Sequence, residues 1–221
     1  MSKSQDMVVR RFTGGAFGEN GYVVSCARTG EGILVDPGAS VDAMLKAVEE
    51  GEVAVKAIVL THAHIDHIDG VAAAKRATGA PVYLHPADEP LYRQAAAQAQ
   101  WFGVDLETPP PVDEYLREGT PVRFGECEFE VRHTPGHAPG HVVLVGDGVA
   151  IVGDCVFAGS IGRTDLPGGD FQTLMKSIRT HILTLPDVTV LYSGHGGETT
   201  VGHERVSNPF LAPQLGGSNF A

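Results

Sequence analysis

The segment at residues 61–70, THAHIDHIDG, contains three histidines and two aspartates within ten residues. It directly follows an apolar run at 57–60 that has the composition of a buried strand. Imidazole and carboxylate groups are the ligands that zinc, iron and manganese accept in proteins. A strand that ends in such a segment would bring several of these groups into one small volume. We therefore interpret the segment as part of a metal site rather than as a polar turn with incidental histidines.

Three further candidate ligands lie outside this segment, and each of them stands next to a glycine. A glycine lets the backbone turn sharply and approach neighbouring groups closely. The three residues are His137, in the loop HTPGHAPGH at 133–141, Asp154 and His195. Apolar runs typical of strands flank or precede them. The chain therefore places side chains suited to metal binding repeatedly at predicted strand ends.

Strands and helices alternate in the first half of the predicted fold. We expect strands at 21–25, 32–36, 53–61 and 82–85, and helices at 41–50, 70–78 and 91–102. Asp69 is expected to cap the helix at 70–78. Three prolines at 109–111 mark a loop, and a break between two halves is predicted near 103–120.

The second half is predicted to begin with two hairpins, at 122–133 and 141–152. Asp170 is expected to cap a helix that runs to about Ile182, and a final strand is predicted at 188–192. Two strand-rich halves with covering helices indicate an α/β fold. In such a fold two sheets pack face to face between helical layers.

Composition and charge limit the classes of function. The chain has 221 residues, 43 % apolar and 19 % charged, which is typical of a soluble protein with a sizeable core. The formal net charge of −11 argues against nucleic acid as a partner, because nucleic-acid binding depends on Lys and Arg. The sequence shows neither a signal peptide nor an apolar run of about 18 residues. We therefore expect no membrane partner and a cytoplasmic location.

Several other reactive side chains are given structural roles. The cysteines Cys26, Cys127 and Cys155 are far apart and are expected to be reduced thiols, with Cys155 as buried filler. The histidines His85, His133 and His141 are interpreted as structural, and His203 receives no role. These residues leave the metal site as the main source of chemistry in the sequence.

Taken in order, the motifs resemble the metallo-β-lactamase superfamily, and within it the short glyoxalase II-like (hydroxyacylglutathione hydrolase-like) group. The resemblance runs through Asn20, the turn at 36–38, HxHxDH at 62–67, His137, Asp154, GRTD at 162–165, His195 and ETTVGHERVSNPF at 198–210. It implies a single αββα four-layer domain over residues 1–221, with two mixed sheets face to face and helices outside. No C-terminal helical glutathione-binding domain is expected.

The resemblance also implies two divalent metal ions, zinc in the first place, with iron or manganese as alternatives. In that family, residues matching His62, His64 and His137 hold one ion, those matching Asp66, His67 and His195 hold the second, and Asp154 bridges them. Asp66 is also assigned as the catalytic residue. Asp36 is expected to accept a hydrogen bond from a ligand histidine, and Arg163 to contact the substrate.

Such a centre is suited to hydrolysis. Two ions about 3.5–4 Å apart can share a hydroxide, because binding lowers the pKa of water to roughly 7. Two dications, two carboxylates and one hydroxide leave a charge of about +1, which would stabilise an oxyanion. A thiolate leaves without needing a separate acid. We therefore predict a metal-dependent hydrolase of a small-molecule thioester such as an S-2-hydroxyacylglutathione.

Two other functions stay open. Persulfide dioxygenases share GRTD and use a single iron held by residues matching His62, His137 and Asp154. Those enzymes typically have Asp after the residue matching His195, whereas Gly196 stands here, which favours the hydrolase. The other possibility is a metal-binding or sensing domain without activity. The sequence predicts neither the thiol of the substrate, since the Lys and Tyr of the glyoxalase II substrate loop are absent, nor the oligomeric state.

Overall fold

The computed structural model describes residues 6–212, and its first six strands form one sheet in chain order. They are β1 (Met7–Gly14), β2 (Glu19–Cys26), β3 (Glu31–Val35), β4 (Ala54–Val59), β5 (Val82–Leu84) and β6 (Glu114–Tyr115). The first three strands are antiparallel, and β3 to β6 run parallel. The parallel arrangement brings the carboxyl ends of β3, β4 and β5 to the same edge of the sheet.

The second sheet has the spatial order β14-β13-β10-β9-β8-β7. Its strands are β7 (Val122–Phe124), β8 (Cys127–His133), β9 (Val142–Val145), β10 (Val149–Gly153), β13 (Val190–Ser193) and β14 (Thr199–Thr200). Only β10 and β13 are parallel neighbours in this sheet. A short ribbon of β11 (Val156–Phe157) and β12 (Ser160–Ile161) follows β10.

The two sheets pack face to face through a buried apolar layer. Val24 and Ile33 of the first sheet meet Phe129 and Leu144 of the second in this layer. Separate apolar clusters cover the outer face of each sheet with helices. The predicted αββα four-layer arrangement is confirmed.

The helices lie on the two outer faces. They are α1 (Val41–Glu50), α2 (Ile65–Ile68), α3 (Val71–Thr78), α4 (Glu89–Arg93), α5 (Ala95–Phe102), α6 (Phe171–Ser177) and α7 (Val201–Ser207). A π-helical turn at Ile178–Ile182 continues α6. Asp170 accepts a hydrogen bond from the Thr173 amide, 2.7 Å away, so the predicted cap of this helix is confirmed. Within residues 6–212 no helix is long and apolar enough to cross a membrane.

Strand β1 has no counterpart among the predicted elements. Its residues alternate between partly buried and exposed positions, and Arg10 and Arg11 interrupt the apolar pattern. The strand is paired only with β2, at the edge of the first sheet. Edge strands often carry charged residues, because charge discourages pairing with another chain. The same charged residues interrupt the apolar pattern from which a strand is predicted.

The prediction of one continuous helix at 91–102 is wrong. The structure divides this segment into α4 and α5, which meet at Gln94. The buried amide of Gln98 donates hydrogen bonds to the carbonyls of Leu91 and Ala63, at 3.0 and 2.9 Å. In a continuous helix the Leu91 carbonyl would accept a hydrogen bond from the backbone amide four residues later. Here it accepts from the Gln98 side chain instead.

The prediction that Asp69 caps a helix is also wrong. Gly70 is the residue that precedes α3 in the N-cap position, and no side chain caps the helix there. The short helix α2 ends at Ile68, so Asp69 has helical backbone angles of φ −67° and ψ −20°. A capping side chain requires an extended backbone, which the preceding helix prevents here.

Candidate metal centre

The candidate ligands converge at one edge of the two packed sheets. His62 and His64 follow β4, and Asp66 and His67 belong to α2. The remaining three come from the second half: His137 between β8 and β9, Asp154 after β10, and His195 after β13. Because β10 and β13 are parallel neighbours, the residues that follow them emerge side by side.

Three histidines form the first group. His64 Nδ1 lies 2.8 Å from His137 Nε2, which in turn lies 3.2 Å from His62 Nε2. All three side chains are buried, and their ligand atoms lie within 4.8 Å of one another. This is the spacing at which three nitrogens can share one metal ion.

Asp66, His67 and His195 form a second group of the same size. Asp66 Oδ2 lies 3.2 Å from His195 Nε2 and 3.9 Å from His67 Nε2. His67 is fully buried, whereas the other two side chains are partly exposed. The second group therefore lies closer to solvent than the first.

Asp154 lies between the two groups and contacts both. Its Oδ2 atom is 3.4 Å from His137 Nε2 and 3.5 Å from His195 Nε2. Its Oδ1 atom is 3.4 Å from His67 Nε2. Asp154 thus joins the two groups into one centre.

Asp36 and Thr61 fix the protonation of two of these imidazoles. His67 Nδ1 lies 3.0 Å from Asp36 Oδ2, and a carboxylate only accepts, so His67 donates from Nδ1. The Thr61 hydroxyl donates its single hydrogen to Asp36, 2.6 Å away, and therefore accepts from His62 Nδ1 at 3.0 Å. Asp36 also accepts from the Thr61 amide. Because its oxygens are engaged in this way, Asp36 is placed to orient the imidazoles rather than to bind an ion.

Backbone carbonyls fix the protonation of His137 and His195 in the same way. His137 Nδ1 lies 2.7 Å from the carbonyl oxygen of Arg163, and His195 Nδ1 lies 3.1 Å from that of Phe17. A carbonyl can only accept, so both imidazoles carry a hydrogen on Nδ1. In all four histidines this leaves Nε2 as the atom that faces the centre.

The arrangement fits a metal ion. His62 Nε2 and His137 Nε2 both lack a hydrogen when the hydrogen is on Nδ1, so at 3.2 Å they repel unless a cation lies between them. The buried atoms His67 Nε2 and Asp154 Oδ1 have no hydrogen-bond partner among the described residues. Leaving such atoms unsatisfied costs about 1–3 kcal/mol each, which a bound cation would remove. Nitrogen and carboxylate donors are accepted by zinc, iron and manganese alike.

The pKa values of the centre agree with this fit. Burial lowers the pKa of His64 to about 3 and that of His62 well below its usual range, so both are neutral at pH 7. Burial alone would raise the pKa of Asp154, but His67 and its neighbours hold it well below its usual range. Burial alone would lower the pKa of His67, but Asp66 and Asp154 raise it well above its usual range. A metal ion would compete with the proton for His67 Nε2.

Replacing Asp36 by asparagine is expected to weaken metal binding by about 10- to 100-fold. Asparagine has one acceptor oxygen and cannot receive all three hydrogen bonds, so His67 is no longer held with Nε2 free. Competition with a chelator of known affinity measures the change. Asp42→Asn, an exposed change in α1, should leave the affinity unaltered. Equal affinities for the wild type and Asp36→Asn would contradict this role.

Two further residues support the centre, and of these only Asp88 was not recognised in the sequence. His141, interpreted as structural, is buried and accepts a hydrogen bond from the Asp154 amide at 3.1 Å, in agreement with a structural role. Asp88 is buried and accepts from the Ala63 amide at 2.9 Å and the Gly140 amide at 2.5 Å. It therefore ties the loop that carries His62 and His64 to the loop that carries His137. The flanking Pro-Ala-Asp sequence has no local signal for this role.

Asp88 also predicts a pH dependence of stability. Burial raises its pKa to about 6, above the roughly 3.9 of an unfolded aspartate. Its contribution to stability is therefore complete below about pH 4 and is lost as the pH rises through about 6. We expect the unfolding free energy of the wild type minus that of Asp88→Asn to fall by roughly 3 kcal/mol between these limits, measured by urea denaturation with chelator present.

The matched control is Asp113→Asn. A hydrogen bond from the Val82 amide, together with Lys75, lowers the pKa of Asp113. Its contribution is thus present above the unfolded pKa and is lost as the pH falls, so the corresponding difference should not decrease with rising pH. A pH-independent difference for Asp88→Asn would show that the buried carboxyl does not titrate in this way.

A cleft of about 170 Å³ opens onto the centre. The candidate ligands His64, Asp66, His137, Asp154 and His195 line it together with Phe17, Ile65, Phe102, Arg163 and Leu166. The Arg163 side chain, predicted to contact substrate, is exposed and pairs with both oxygens of Asp165 at 2.7 and 2.8 Å. It borders the cleft but is already engaged by a carboxylate.

Comparison with known proteins defines the family. The sequence model of the metallo-beta-lactamase superfamily matches residues 14–195. The hydroxyacylglutathione hydrolase GloC of Haemophilus influenzae is 37 % identical over 187 residues, covering 80 % of this chain and 86 % of GloC. The chain therefore belongs to the metallo-β-lactamase superfamily. Its relationship to GloC identifies it as a metallo-hydrolase of that superfamily.

Two solved structures show the same fold. BLEG-1, described as a B3 metallo-beta-lactamase, matches with a TM-score of 0.87 and 37 % identity, over 93 % of this chain and 100 % of that one. TTHA1623, solved in a di-iron-bound form, matches with a TM-score of 0.84 and 41 % identity, over 92 % and 100 %. These relatives agree on the scaffold and differ in the names they carry, so the substrate has to be argued from the site.

Proposed function

We propose that this protein is a binuclear metal-dependent thioesterase that hydrolyses a thioester such as an S-2-hydroxyacylglutathione. The observation that carries the proposal is Asp154, whose carboxylate contacts both groups of candidate ligands at 3.4–3.5 Å. The relationship to GloC supports the choice of a thioester. The superfamily is metal-dependent, and the donor set suits two ions rather than one.

In this proposal the candidate ligands divide as two sets of three around a shared carboxylate. His62, His64 and His137 would hold the first ion, Asp66, His67 and His195 would hold the second, and Asp154 contacts both groups. Bound divalent ions would supply a water of lowered pKa and positive charge for the carbonyl oxygen. Zinc is the first candidate, and the di-iron form of TTHA1623 supports iron as an alternative.

Asp66 is assigned the catalytic role because it faces the cleft. Burial alone would raise the pKa of Asp66, but the neighbouring His67 and His195 lower it, so its carboxylate is ionised at pH 7. It can therefore accept a hydrogen bond from the attacking water and orient it toward the carbonyl carbon. The leaving thiolate needs no separate acid to protonate it, because thiols have a pKa of about 8.5.

A mononuclear iron dioxygenase is the second candidate. His62, His137 and Asp154 do come together, with His137 Nε2 3.2 Å from His62 and 3.4 Å from Asp154. The presence of the second group argues for the hydrolase, because a single iron would leave Asp66, His67 and His195 without a role. Gly196 after His195 supports the same choice.

One experiment separates these functions. Metal content is measured on purified protein, and the same preparation is assayed with S-lactoylglutathione, a glutathione persulfide and a β-lactam. We expect about two metal ions per chain and release of thiol from the thioester. Oxygen uptake with the persulfide and no thioester cleavage would overturn the proposal in favour of the dioxygenase. Cleavage of the β-lactam alone would assign the activity for which BLEG-1 is named.

A further inference from the structure

A groove of apolar side chains leads away from the metal cleft. We call it the Trp101 groove; its apolar lining is Leu91, Ala97, Trp101, Phe102, Leu166 and Pro167. It shares His64, Phe102 and Leu166 with the cleft. A substrate with its reacting carbonyl at the metal centre can therefore extend past these shared residues into the groove.

The aromatic rings around this groove are unusually exposed. Trp101 is 67 % exposed, Phe102 40 % and Phe17 42 %. Phe17 and Phe102 pack edge to face across the cleft mouth, with ring centroids 5.5 Å apart. Large aromatic side chains left in water at the mouth of a site mark a surface that an apolar group covers.

Charge around the site argues against an anionic substrate group. Apart from histidines, Arg163 is the single cationic residue among the described residues that line the cleft and the groove. Asp165 holds its guanidinium through two hydrogen bonds. The whole chain has a net charge of −11. The two carboxylates of glutathione would find no free cation there.

We propose that the Trp101 groove binds an uncharged apolar group on the thiol side of the substrate, so that thioesters of apolar thiols are preferred to those of glutathione. The proposal rests on the thioesterase function proposed above. The cleft, of about 170 Å³, holds the reacting carbonyl and a short acyl group, and the leaving thiol lies along the shallow groove, which encloses about 30 Å³. The recognised class is a short-chain acyl thioester of an aliphatic or aromatic thiol.

Three lactoyl thioesters test this preference. They share one acyl group and differ in the thiol, which is benzyl mercaptan, N-acetylcysteamine or glutathione. We expect kcat/KM for the benzyl thioester to exceed that for S-lactoylglutathione by about tenfold or more, as burial of one aromatic ring allows. Trp101→Ala should remove about tenfold from the benzyl thioester and leave the small N-acetylcysteamine thioester unchanged. Val188→Ala, at a 79 % exposed apolar residue outside the groove, is the control.

Binding can be followed without turnover because Trp101 is the only tryptophan in the chain. The ketone analogue of the benzyl thioester, with a methylene in place of sulfur, should shift Trp101 emission to shorter wavelength as it covers the ring. Equal kcat/KM for the three thioesters, an equal loss on all of them in Trp101→Ala, or an unshifted emission would each overturn the proposal. Shifted emission with no cleavage of any thioester would support the groove while contradicting the thioesterase function.

Discussion

Asp154→Ala is expected to lower kcat for thioester hydrolysis by roughly a thousandfold or more while the protein stays folded. The carboxylate contacts both sets of candidate ligands, at 3.4–3.5 Å. Without it, two cations would face each other with one negative charge fewer between them. The backbone at this position is held independently, since the Asp154 amide bonds to His141 Nε2. The loss should therefore appear in metal content and turnover rather than in folding.

The measurement pairs metal analysis with steady-state kinetics and a thermal denaturation of the same sample. Asp147→Ala, at an exposed aspartate in the turn between β9 and β10, is the control for loss of a carboxylate alone. His64→Ala is expected to give the same loss of activity, because it removes one of three nitrogens of the first group. Near-normal turnover in either purified variant would refute the assignment of these residues as ligands.

Gly194→Ala should produce a comparable loss from a single added methyl group. A Cβ at this position would lie 2.2 Å from Asp154 Oδ1 and 2.7 Å from His67 Cε1. Contacts this short cannot persist, so the carboxylate and the imidazole must both move away from the centre. The backbone around Gly194 cannot move in their place, because its amide and carbonyl bond to Gly153 and Asn20. We expect a fall of about a hundredfold or more in kcat/KM, with weaker metal binding.

Gly197→Ala provides a closely matched control. It lies three residues further along the same glycine-rich segment, and a Cβ there meets no atom within 4 Å. We expect its metal content and kcat/KM to stay within about twofold of the wild type. Equal activity of the two variants would mean that Asp154 and His67 tolerate displacement, contrary to a centre that depends on fixed geometry.

Much of the site could be predicted because its ligand types are concentrated in the sequence. HxHxDH puts four candidates within six residues, and glycines mark the places of His137, Asp154 and His195. The structure brings all seven together at one edge of the sheets. The apolar periodicity that predicted most strands is equally local, which is why the layers and their order could be anticipated.

What could not be predicted depends on contacts between distant residues. Asp88 bonds to amides 25 and 52 residues away, and no short pattern around it indicates either partner. The break between α4 and α5 arises from Gln98 reaching back to Ala63, 35 residues earlier. Asp69 looked like a helix cap because α2 is too short to be seen in the apolar pattern. In the first two cases tertiary packing decided the outcome over local preference.

Arg163 and Phe17 each contact the metal centre through the main chain and line the cleft with the side chain. Arg163 and Phe17 hold His137 and His195 through their carbonyl oxygens, and any amino acid supplies that oxygen. Their side chains meanwhile line the cleft. Substitutions at 17 and 163 can therefore alter substrate choice without disturbing the imidazoles. Such a division lets the scaffold diversify its specificity during evolution, and it identifies these two positions as the first to randomise in a selection for new substrates.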